Sequence, residues 1–139
     1  MGRSGYIDDC DDNWTFIQWR GAVKAAIRGK RGQAFLLEMW KAMQAPPEPK
    51  LIANDLEAEG AVCAIGSVGK ARGIDMSSID PEDHEAVAAA FGIPHSLACE
   101  IMYLNDEAGW PRQELPEVRF ERMKKWIEEH LLPVEIIND

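Results

Sequence analysis

Residues 116–133 read PEVRFERMKKWIEEHLLP, and this stretch decides the fold class. Pro116 suits the first turn of a helix, where a missing N–H is no loss, and Pro133 cannot continue one. Between them Phe120, Met123, Ile127 and Leu131 recur every three or four residues, the period that lines one face of an α-helix. Glu121/Lys125 and Lys124/Glu128 set opposite charges four apart on the remaining surface. Breakers, periodicity and charge pattern agree, and such agreement is stronger than any one signal. The spacing predicts a helix over 116–132 with one face on a core and the other in water.

The same grammar repeats upstream. Asp80-Pro81-Glu82-Asp83 offers a capping acid at Asp80 and a proline for the first helical position. That helix is expected to run to Phe91 and stop at Gly92. Pro94 opens the next helix, with Leu97, Ala98, Ile101 and Leu104 on one face and an end near Asn105. Near the N-terminus Asp8, Asp9, Asp11, Asp12 and Asn13 precede Phe16, Trp19, Val23, Ala26 and Ile27 at helical spacing. Acids there favour the positive end of a helix over about 14–28. A short basic loop, Gly29 to Gly32, leads to a second helix over about 33–44, carrying Phe35, Leu36, Met39, Trp40 and Met43. Pro46-Pro47-Glu48-Pro49 ends it.

Residues 50–65 admit two readings. Leu51-Ile52-Ala53 and Ala61 to Ile65 fit strands of a hairpin turning near Glu59-Gly60. Ile52 and Leu56, four apart with Gly60 as a stop, fit a short helix, and Ile65, Val68 and Ala71 fit another. A lone hairpin needs packing support, so helices are preferred. The expectation is an all-α fold: a compact single-domain bundle of about six or seven helices over residues 1–139, with a short hairpin in 50–65 as the alternative. Trp19, Val23, Ile27, Phe35, Met39, Ile101, Phe120, Met123 and Ile127 are expected in the core. Trp110, between Gly109 and Pro111, is expected exposed or at an interface.

Composition fits one ordinary globular domain of 139 residues, with 46% hydrophobic and 28% charged residues. Five tryptophans are a surplus, read first as core packing and otherwise as anchors for a partner. The net charge of −9 is uneven: residues 1–50 carry 8 Lys/Arg against 6 Asp/Glu, a net +2, and residues 51–139 carry 7 against 18, a net −11. Acidity disfavours generic nucleic-acid binding and suits a basic partner surface. There is no apolar run of about 18 residues for a membrane span, no apolar leader, and Tyr6 breaks the myristoylation pattern. Cys10, Cys63 and Cys99 form no CxxC, which fits a reducing cytoplasm.

Several runs carry a resemblance: Met1 to Tyr6, Asp8 to Trp14, Trp19 to Val23, Arg28 to Leu36, Val62 to Gly66, Asp80 to Asp83 and Asn105 to Glu107. Together they resemble short proteins of proteobacterial temperate phages and prophages that begin Met-Gly-Arg-Ser-Gly-Tyr. The resemblance covers nearly the whole chain. It implies a phage accessory gene acting in the bacterial host cytoplasm, and no particular activity. Relatives resemble a Thr-Pro-Glu start to the last helix, where this chain has Leu115-Pro116-Glu117 and so lacks a hydroxyl cap.

Five constellations bear on chemistry. Arg20, Lys24 and Arg28 recur every four residues and, with Lys30 and Arg31, form a basic stripe suited to phosphates or an acidic protein surface, or else a solvated helix flank. Asp106 and Glu107 are adjacent carboxylates suited to acid–base work, or else a turn. The Asp8 to Asp12 cluster lacks the spacing of a calcium loop and reads as helix capping. His84, His95 and His130 fall on three expected helices without the spacing of a metal motif, and read as surface or helix-end residues. Ala88, Gly92 and Ile101 have helix-turn-helix spacing, but the second helix lacks the Arg, Lys, Asn and Gln that read bases. No P-loop, GxGxxG, nucleophile elbow or CxxC pair is present, so neither cofactor nor metal is expected. The functional expectation is a non-catalytic accessory protein binding a host or phage protein. A nucleic-acid regulator using the basic stripe, and an enzyme using Asp106 and Glu107, are the alternatives.

Overall fold

In the computed structural model, residues 13–107 and 114–133 are described, without the side chains of Asn13 and Phe16. The Asp8 to Asp12 cluster and Trp110 lie outside the described residues. Helices α1 (Asn13–Arg28) and α2 (Lys30–Gln44) meet at Gly29 with almost no connection. The loop expected over Gly29 to Gly32 is instead the first turn of α2. Lys30 and Arg31 are good helix formers, and Gln33 N–H closes onto the Gly29 carbonyl at 2.9 Å. Gly32 permits the tight turn: a Cβ there would stand 1.8 Å from the Ala26 carbonyl oxygen.

The segment after Pro49 corrects the preferred reading. Residues 50–56 are not helical, and strands β1 (Glu57–Ala58) and β2 (Ala61–Val62) form a two-stranded antiparallel hairpin with Ala58 opposite Ala61. Its turn residues, Glu59 at φ 53° and Gly60 at φ 84°, both adopt the left-handed conformation that a tight two-residue hairpin requires. The four-residue spacing of Ile52 and Leu56 misled because four is a multiple of two and also nearly a helical turn, so both periods fit it. Ile52 N–H donates to the Val62 carbonyl at 2.9 Å and Cys63 N–H to the Leu56 carbonyl at 3.2 Å, which supplies the packing support a small hairpin needs.

Helix α3 (Ala64–Arg72) begins as the second short helix was expected to. Cys63 Sγ caps it by accepting the Gly66 N–H at 3.3 Å, and Gly73 closes it at φ 75°. Helix α4 (His84–Phe91) starts later than Asp80-Pro81 suggests. Asp80 instead accepts the Glu82 N–H within a turn, and Asp83 caps the helix by accepting the Ala86 N–H at 3.1 Å. Gly92 ends it as expected. Helix α5 (His95–Asp106) and helix α6 (Pro116–His130) follow, and α6 lacks a side-chain cap because Leu115 stands at its N-cap.

Helix α5 is the centre of the architecture. It packs against α1, α3, α4 and α6, while α2 joins α1, α3 and α6. None of its twelve residues is exposed. One hydrophobic core collects Val23, Ile27, Phe35, Met39, Ile101, Phe120, Met123 and Ile127, as expected, together with Leu36, Leu97, Met102 and Phe91. Trp19 is a correction: it is half-buried at the rim, its ring edge-on to His95 at 5.8 Å. Among the described residues no tryptophan is fully buried in the core. Trp19, Trp40 and Trp126 pack partly against it, and Trp14 is 67% exposed.

Three buried polar side chains hold what has no regular structure. Arg119 donates to the carbonyls of Asn105 (2.8 Å) and Leu51 (3.1 Å). The Asn105 amide accepts the Ala64 N–H and donates to the Ile52 carbonyl. The Gln33 amide donates to the carbonyls of Ile27 and His130 and accepts the Leu132 N–H. Each satisfies backbone groups that burial would otherwise leave unpaired. Among the described residues no single helix is long and apolar enough to cross a membrane.

Candidate functional site

Arg20, Lys24 and Arg28 lie one turn apart along α1, so their side chains share a face. That face meets the C-terminal half of α6 and the middle of α5 across a cleft of about 450 Å³. Ile27, Trp126 and Leu132 supply its apolar lining, and Glu100, Glu129 and His130 its other polar groups. These three cations of the basic stripe border the cleft, and Lys24 and Arg28 remain exposed to solvent.

The three differ in what they touch. Arg20 is held in the wall by an ion pair at 2.8 Å to Glu100, which is 5% exposed. Lys24 and Arg28 are exposed and have no ion pair among the described residues. Trp126 and His130, one turn apart on α6, stack with ring centroids 4.7 Å apart. His130 Nδ1 lies 2.7 Å from the Trp126 carbonyl, an acceptor only, so that nitrogen carries a proton. The cleft thus presents two available cations beside an aromatic pair, with one rim carboxylate, Glu129.

The other candidates are placed elsewhere. Arg31 donates to the Gly92 carbonyl at 2.7 Å and ties α2 to the end of α4. Lys30 is exposed in the first turn of α2. Asp106 accepts the Asn54 N–H (3.1 Å) and the Asn105 amide (2.8 Å), so its carboxylate anchors the turn before the hairpin. Glu107 follows at the end of α5, and neither acid lines the cleft. Asn54 itself sits at φ 71°, which Asp106 helps to hold.

Helices α4 and α5 are bent by 111° at Gly92 to Pro94, within the range of about 90–120° for a helix-turn-helix. The helix in the recognition position is α5, however, and seven of its twelve residues are buried and none is fully exposed, which disfavours its entry into a groove of DNA. The same bend has a result that sequence spacing does not reveal. It brings His84, at the start of α4, against His95 on the first turn of α5, with Cys99 one turn further on. His130 belongs to the cleft, so the three histidines split two and one.

Comparison of the chain with protein-family models, with curated proteins and with solved structures finds no match. The functional reading therefore rests on the residues and their geometry.

Proposed function

We propose that the protein is a non-catalytic binding protein whose α1–α5–α6 cleft takes a short acidic segment of a partner protein. The observation that carries this is the pair Lys24 and Arg28, exposed cations without ion pairs among the described residues, on the wall of a cleft that also offers Ile27, Trp126 and Leu132. Carboxylates of the segment meet the two cations, and an apolar neighbour meets the indole. In the setting implied by the phage resemblance, the partner is a host or phage protein, and a host-takeover or anti-defence role follows by analogy.

A nucleic acid would offer phosphates to the same cations. Its dense charge meets the field of a chain carrying −9, whereas a short acidic segment meets mainly the local cations within a Debye length of about 8 Å. The test follows the intrinsic fluorescence of Trp126 during titration with a short Glu/Leu peptide or a single-stranded oligonucleotide. Trp126→Phe identifies the reporting indole. Peptide binding that is lost on joint Lys24→Glu and Arg28→Glu substitution supports the reading. No response to the peptide, or tighter binding of the oligonucleotide, removes it in favour of a nucleic-acid regulator. Capture from host lysate with the same charge-reversed variant as control then identifies the partner.

A further inference from the structure

We propose that His84, His95 and Cys99 form a site for one zinc-class transition-metal ion at the α4–α5 turn. Their potential ligand atoms all lie within 4.8 Å of one another. The arrangement has a simple origin. His95 and Cys99 are four apart on α5 and so lie above one another on one face. The 111° bend at Gly92 to Pro94 returns α4 across that face, and the ring of His84 meets the ring of His95 with centroids 4.5 Å apart.

Donor chemistry and spacing both favour a metal. Two imidazoles and a thiol are the borderline-to-soft set that zinc, cobalt and copper(I) select over calcium or magnesium. Zinc bonds of about 2.0–2.1 Å to nitrogen and about 2.3 Å to sulfur set a nitrogen and a sulfur about 3.5 Å apart in a tetrahedron. Cys99 Sγ stands 3.4 Å from His95 Nε2. His84 Nδ1 and His95 Nε2 are in direct contact, so binding an ion requires the half-buried His84 to turn away to a ligand separation. Cys99 is buried while both histidines are half-buried, so the site has a closed sulfur side and an open nitrogen side. Water or an incoming group completes the coordination there, as in zinc sites with three protein ligands. Trp19 edge-on to His95 closes one flank.

The location assigns the ion a structural consequence. It joins the first residue of α4 to the first two turns of α5, across a turn that depends on Gly92 at φ 69°. It is separate from the cleft, so the inference stands or falls independently of the proposed function.

The probe is Co²⁺ titrated into the full chain under reducing conditions, with native mass spectrometry for stoichiometry. The expected result is one ion per chain, tetrahedral d–d bands and a thiolate-to-cobalt charge-transfer band, all displaced by Zn²⁺. Cys99→Ser is expected to abolish the charge-transfer band. His84→Ala is expected to weaken binding by more than the roughly 10–100-fold that loss of an outer-shell partner costs. Cys63→Ser, at a cap on α3, is expected to leave the band intact. Far-UV circular dichroism reports whether Cys99→Ser folds; if it does not, His84→Ala decides alone. No cobalt band for the parent chain, or binding unchanged in the folded variants, overturns the proposal.

Discussion

Replacing Arg119 by Met tests whether a buried guanidinium holds the irregular segment to the helices. Arg119 is 8% exposed, and its head group donates at 2.8 Å to the Asn105 carbonyl and at 3.1 Å to the Leu51 carbonyl. It also lies 3.4 Å from a Glu114 oxygen. Methionine keeps much of the apolar stem and removes every one of these donors. A hydrogen bond from a charged donor contributes about 1.5–3 kcal/mol, so losing two costs about 3–6 kcal/mol. Two effects reduce that figure. The charge no longer has to be held out of water, and Arg122, whose Nη2 is 3.4 Å from the Asn105 carbonyl, retains part of one bond. The net expectation is about 2–4 kcal/mol. With a urea m-value of about 2 kcal/mol/M, the unfolding midpoint falls by roughly 1–2 M at unchanged m. Arg119→Lys, which can restore one of the two bonds, should fall between parent and Met. A loss for Arg119→Met below about 1 kcal/mol would refute the reasoning, because the two carbonyls would then be satisfied without Arg119.

Four further expectations follow from other sites. Gly66→Ala should destabilise by more than about 2 kcal/mol, since a Cβ would stand 1.9 Å from the Leu56 carbonyl oxygen and neither backbone can yield cheaply; thermal melts check it, and a Tm within a degree or so of the parent counts against the packing described. Gln33→Leu should cost about 2–4 kcal/mol through the three hydrogen bonds of a buried amide, read by urea unfolding, and a neutral result would mean that water replaces them. The bidentate hydrogen bonds from Arg122 hold the Glu114 carboxyl below its ordinary value of 4.5, with the charges of Arg122 and then Arg119 adding to the effect. A carboxyl whose folded pKa is depressed stabilises the fold above its ordinary value, and that stability is lost as pH falls through the folded pKa; Glu114→Gln should therefore flatten the acid limb of the stability–pH curve, and an unchanged limb refutes the coupling. Arg72 donates to both Glu38 oxygens (2.8 and 2.7 Å) from a partly exposed position, so Glu38→Gln should cost no more than about 1 kcal/mol and the cost should shrink in high salt.

Legibility of the sequence followed the range of the forces involved. Helix ends were readable where one residue acts alone: Gly92 at φ 69° closes α4, and Pro116 opens α6. They were misread where two residues offered the same chemistry. Asp80 and Asp83 are equivalent caps in sequence, and the choice falls to Asp83 because Asp80 already serves a turn. The 50–56 segment was unreadable for a different reason. Its order comes from Arg119 and Asn105, residues far along the chain whose polarity in sequence suggests surface, and no local period announces a bond to Leu51 or Ile52. The three cations of the cleft were legible as a helical stripe, but Trp126, Leu132 and Glu100, which make it concave, come from α5 and from the C-terminal end of α6 and beyond. The pairing of His84 with His95 was invisible because eleven residues and a bend separate them, and no metal motif has that spacing.

The burial of α5 ties these features together physically. A helix packed against four others must reconcile its buried polar side chains with a low-dielectric setting, and each of those must find a partner inside. Along α5 the partners differ turn by turn. His95 and Cys99 face α4, Glu100 faces Arg20 of α1, and Asn105 faces the hairpin segment and the start of α3. A rotation of α5 by a single residue, about 100°, would break all of these matches at once. Apolar packing alone tolerates such slips far better, because one leucine contact resembles another. The polar residues of the central helix therefore fix its register. That register sets Glu100 against Arg20 in the wall of the cleft that Lys24 and Arg28 also line.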